Sequence, residues 1–146
     1  MAQNLEEANG GNFTFTAGGL AIGTTTTTYK TANSVTYTID GVFKTRAAID
    51  NNVLTGFGLP SLAINQKVAY AVWVDTAGAL TVTSGAVVAS TDLAPPPAMR
   101  GAVALIGLII LSTNSAATFV PGTTALSAAG VTAVYRDCSL LPGTAQ

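Results

Sequence analysis

Val35-Thr36-Tyr37-Thr38-Ile39, then Asp40-Gly41, then Val42-Phe43-Lys44-Thr45 is the stretch on which the fold turns. Apolar and polar residues alternate in the first run, the two-residue period of a strand with one buried face. Asp40-Gly41 has the composition of a two-residue hairpin turn, whose central residues take positive φ. The run after the turn comes back as a second strand. An antiparallel hairpin is predicted here.

Working outward, residues 67–74 (Lys67-Val68-Ala69-Tyr70-Ala71-Val72-Trp73-Val74) read as a strand apolar on both faces. Asp75-Thr76-Ala77-Gly78 is a turn, and Ala79-Leu80-Thr81-Val82-Thr83 returns, making a second hairpin. Residues 86–89 extend it beyond a bulge at Gly85. Toward the N-terminus, 12–16 alternate through Phe13 and Phe15 as a short strand, and the threonine run 24–28 favours extended chain. Residues 46–50 have room for a brief helical turn before Asn51-Asn52 breaks it, and 52–55 form a short strand. Pro95-Pro96-Pro97 enforces a stiff connection. Periodicity alone leaves 103–111 open between buried strand and buried helix; its length, the central Gly107 and the β surroundings favour strand. Residues 113–129 read as loop around Pro121-Gly122, and 131–136 as a last strand. The expected fold class is all-β: an antiparallel β-sandwich or small β-barrel of about seven or eight short strands. It divides into a flexible N-terminal arm (1–12), one β domain (13–137) and a C-terminal tail (138–146).

Charged residues make up 9% of the 146-residue chain, against roughly 25% in an average soluble domain. Apolar residues make up 49%, and mean hydropathy is +0.47. So little charge on so apolar a chain points to a subunit of an assembly; a threonine-coated monomeric β domain is the alternative. The six Lys and Arg are scattered and the net charge is −1, which offers nucleic acid no basic stripe. The longest apolar stretch, 102–111, is half the length of a membrane-spanning helix. Residues 1–7 lack the basic start and apolar core of a signal peptide, so synthesis in a cytoplasm is expected, with no membrane partner.

Chemistry-bearing groups are sparse. The absence of histidine removes the commonest general base near neutral pH and the commonest metal ligand. Cys138, the single cysteine, follows Asp137, whose charge opposes formation of a thiolate. Asp40 and Asp75 are expected to bond turn amides, and Tyr70 and Trp73 to pack in the core. No glycine pattern cradles phosphate, and Asp50-Asn51-Asn52 lacks calcium-loop spacing. The expectation is a non-enzymatic protein without cofactor or metal.

The 33–47 hairpin, 66–75, Val103-Ala104-Leu105-Ile106-Gly107-Leu108-Ile109 and Thr118-Phe119-Val120-Pro121-Gly122-Thr123-Thr124-Ala125-Leu126 carry a resemblance. These segments resemble small structural proteins of tailed-bacteriophage virions, the head decoration or cement proteins, across roughly residues 13–137. The resemblance implies a homotrimer on threefold positions of the outer capsid surface, clamping neighbouring major capsid proteins. The family offers no site motif to carry over, so the contact residues are expectations from the residues themselves. Ala2, Gln3, Asn4, Leu5, Glu6 and Glu7 form a candidate capsid-contact arm that orders on binding. Leu105, Ile106, Leu108, Ile109, Ile110 and Leu111 form a candidate subunit interface, since a segment apolar on both faces needs cover on two sides. A trimeric receptor-binding or tail-fibre-associated phage module is the rival reading.

Overall fold

The structure is a computed structural model that describes residues 11–56, 58–98 and 101–139. Among these residues there is no helix, and about 48% of them are strand. In chain order the strands are β1 (Phe13–Thr14), β2 (Leu20–Ile22), β3 (Thr28–Thr31), β4 (Val35–Ile39), β5 (Val42–Arg46) and β6 (Ile49–Val53). They continue as β7 (Gln66–Asp75), β8 (Leu80–Ser84), β9 (Val88–Ala89), β10 (Val103–Thr113) and β11 (Val131–Asp137). Every pairing is antiparallel. Three sheets result, ordered β1-β4-β5, β2-β3-β6 and β11-β10-β7-β8, with β9 also on β7. None closes into a barrel, which leaves the sandwich-like arrangement.

The first hairpin has the register its turn dictates. Asp40 and Gly41 take φ of 51° and 76°, and Ile39 faces Val42, Tyr37 faces Lys44 and Val35 faces Arg46. Asp40 serves by its backbone: its N–H donates to Asn12 Oδ1, and among the described residues its carboxylate accepts nothing. Asp75 does bond turn amides, its Oδ1 accepting from the N–H groups of Ala77 and Ala79. β8 and β9 run along one edge of β7, and between them the register slips by one residue beside Gly85.

A single core joins the sheets. Val68, Tyr70, Val72 and Val74 of β7 meet Ala104, Ile106, Ile109 and Leu111 of β10. Val35, Tyr37 and Ile39 of β4, Tyr29 of β3 and Leu20 of β2 close over them from the two smaller sheets. The Tyr70 hydroxyl donates to Pro60 O at 2.7 Å, so the buried phenol is satisfied. Burial pushes the Tyr29 phenol up to about 12, partly offset by the Arg46 charge, and raises that of Tyr70 as well.

Three further expectations need correction. There are more than eight strands, because β2 and β3 are short pieces recognisable only from their partners. Residues 46–50 pass from β5 into β6 without a helical turn. The threonine run is not extended before Thr28: the Thr24 and Thr25 N–H groups donate to Asp50 Oδ1 and Asn51 Oδ1, which folds 24–27 into a turn.

Candidate assembly interface

β10 is the middle of the largest sheet, and its pleat decides which of its residues are available to anything outside. Alternation puts Ala104 and Ile106 inward, and the register then shifts between Leu105 and Gly107. Ile106 is the extra residue of a bulge, so inward parity passes from even to odd positions and Ile109, Leu111 and Thr113 also face in. Gly107 is needed at this kink: a Cβ there would lie 2.3 Å from Arg136 O and 2.6 Å from Leu20 Cδ1.

The six expected interface residues therefore divide. Ile106, Ile109 and Leu111 are core, with 0–1% exposure. Leu105, Leu108 and Ile110 are half-buried on the opposite face, where they sit beside Trp73, Ala71 and Ala69 of β7. Val134 of β11, next to Ile110, is 38% exposed, and Arg136, next to Leu108, is exposed. Trp73 was expected in the core with Tyr70; instead it lies on this outer face, half-buried, its indole N–H donating to Thr83 Oγ1 at 2.8 Å. With that donor satisfied, the ring presents only apolar surface. The outer face thus carries a stripe of Trp73, Leu105, Leu108, Ile110 and Val134 with a floor of two alanines. The expected arm, Ala2 to Glu7, lies outside the described residues.

A second apolar feature, more exposed than the first, lies on the outside of the β1-β4-β5 sheet. Phe13, Thr38 and Phe43 align across the strands. Phe15 stacks on Phe43 with ring centroids 5.0 Å apart and meets Phe13 edge-on at 4.9 Å. Phe43 is 69% exposed. Phe13 and Phe15 stand two apart, but the ridge forms only because β1 pairs with the far side of β4, which the hairpin by itself does not reveal.

Among the described residues, groups for covalent or metal chemistry do not converge. Cys138 is half-buried, and burial together with Asp137 pushes its thiol up. Its backbone is a strut: the N–H donates to Ile106 O and the carbonyl accepts from the Thr14 hydroxyl. Among the described residues no three His, Cys, Asp or Glu side chains come together as a metal site. Among the described residues no helix is long and apolar enough to cross a membrane. Comparison of the chain with protein-family models, curated proteins and solved structures gives no match.

Proposed function

We propose that the protein is a structural virion component that binds the outside of a tailed-phage capsid as a homotrimer and clamps neighbouring major capsid proteins. The observation that carries the assembly reading is the apolar outer face of the five-stranded sheet. A solvent-facing sheet in a free monomer alternates to polar residues on its outer side; here β10 supplies Leu105, Leu108 and Ile110 in that position. The stripe supports self-association or docking, and the phage setting comes from the resemblance of the hairpin and β10 segments. Local synthesis in the host cytoplasm and a final location on the virion surface follow from the same reading.

The test uses the full chain and phage heads lacking decoration. Sedimentation with heads should saturate, cryo-microscopy should show threefold density on the shell, and light scattering should give a trimer. Leu108→Asp places a charge in the stripe without touching the core, so a folded monomer that no longer decorates heads is expected. A wild-type monomer that ignores heads refutes the proposal. The exposed ridge of Phe13, Phe15 and Phe43 favours one rival, a receptor-binding or tail-fibre-associated module. Binding of the isolated protein to host cells and not to heads would establish that rival.

A further inference from the structure

β5 is the outer strand of its sheet, and its inward face is cationic. The hairpin register sets Lys44 opposite Tyr37 and Arg46 opposite Val35, both core residues. Their side chains therefore point toward the neighbouring layer, where an open cleft of about 450 Å³ separates β5 from the Asp75–Gly78 turn. Lys44, Thr45, Arg46 and Thr76 line it.

The cationic donors at this cleft are only partly satisfied. Arg46 Nε donates to Gly78 O at 2.6 Å, while Nη1 is buried with no acceptor. No described residue pairs with the Lys44 ammonium, and the Tyr37 hydroxyl is committed to Asp75 O at 3.2 Å. The carboxylate of Asp75 is close enough to act on Tyr37, yet its Oδ1 is taken by the turn amides of Ala77 and Ala79. A buried guanidinium N–H without an acceptor is a standing cost that a bound oxygen would remove.

We propose that this cleft is an anion site and that its ligand is a carboxylate. A planar two-oxygen group can accept from an Nη group of Arg46 with one oxygen and from Lys44 with the other. Two cations beside one carboxylate leave a local surplus of one positive charge, which a monoanion balances and a dianionic phosphate exceeds. The site stands independently of the capsid reading.

The experiment titrates the full isotope-labelled chain and follows backbone amide shifts at 44–46 and 76–78. The probes are acetate, N-acetylglutamic acid amide and inorganic phosphate, at ionic strength matched with sodium chloride. Saturable shifts with a millimolar Kd are expected for the carboxylates, with Lys44→Gln weakening binding about tenfold. Tighter binding of the blocked glutamate than of acetate would identify an acidic protein side chain as the source. Equal binding would identify a free small acid. Lys44 lies on an outer strand, so Lys44→Gln keeps the fold, and unchanged far-ultraviolet dichroism verifies this. Shifts that fail to saturate by about 100 mM, or that chloride reproduces, overturn the site. They would leave the two cations as guards of an open sheet edge. Phosphate binding more tightly than either carboxylate overturns the ligand assignment.

Discussion

Ile109 and Ile110 are neighbours in β10 with opposite fates, and truncating each to alanine measures the difference. Ile109 has 0% exposure and is flanked across the sheet by Tyr70 and Tyr135. Removing its side chain beyond Cβ forfeits about 2.4 kcal/mol of transfer free energy, and the cavity left among rigid neighbours raises the loss to about 4 kcal/mol. Ile110 is half-buried on the outer face, so Ile110→Ala leaves no enclosed void and costs about 1 kcal/mol. Against a total stability on the order of 5–15 kcal/mol the first loss is severe and the second mild. At about 3 °C per kcal/mol for a chain of this size, Tm should fall by about 12 °C and about 3 °C. Trp73, the single tryptophan, reports urea unfolding, and the comparison is made on midpoints at constant slope. Run at two protein concentrations, the Ile110 loss should grow with concentration if another copy covers the stripe, because association adds to apparent stability. Equal losses at low concentration, or a larger one for Ile110, would refute the division of β10 into a core face and an outer face.

Other outcomes follow from single contacts. Gly107→Ala drives a methyl group against the Arg136 carbonyl, which cannot yield as a side chain would, and should cost about 2–3 kcal/mol in the same urea assay. Tyr70→Phe deprives Pro60 O of its donor and should cost about 1–2 kcal/mol, whereas a neutral result would show the carbonyl satisfied otherwise. With no imidazole in the chain, stability should be flat between about pH 5 and 8. Tyr29 keeps its proton to about 12 when folded and releases it near its ordinary value of 10 when unfolded. Its stabilising share is therefore complete below about pH 10 and is lost as pH rises toward 12, about 3 kcal/mol in the limit. Urea midpoints across that window check the slope, and Tyr29→Phe should reduce it. Cys138, its thiol raised by burial and by Asp137, should alkylate slowly at about pH 8 and speed up in denaturant.

The hairpin and the long β7 strand were legible because a period of two and an Asp-Gly pair act locally. The same register, followed one step further, places Lys44 and Arg46 inward, so the cationic cleft was half-visible in the sequence. Its other wall was not, since the Asp75–Gly78 turn meets β5 only through the packing of separate sheets. The threonine run misled for a related reason: its propensity for extended chain was overridden by Asp50 and Asn51, side chains more than twenty positions away.

The amino-acid order by itself determined an all-β chain poor in charge, without imidazole and with two hairpins, because alternation, turn chemistry and composition need no distant partner. Tertiary structure alone decided the three-sheet division and the absence of a closed barrel. It also decided which half of 103–111 lies in the core. A stretch apolar on both faces carries no parity of its own; the bulge at Ile106 sets it, and that bulge is a feature of the pairing of β10 with β7.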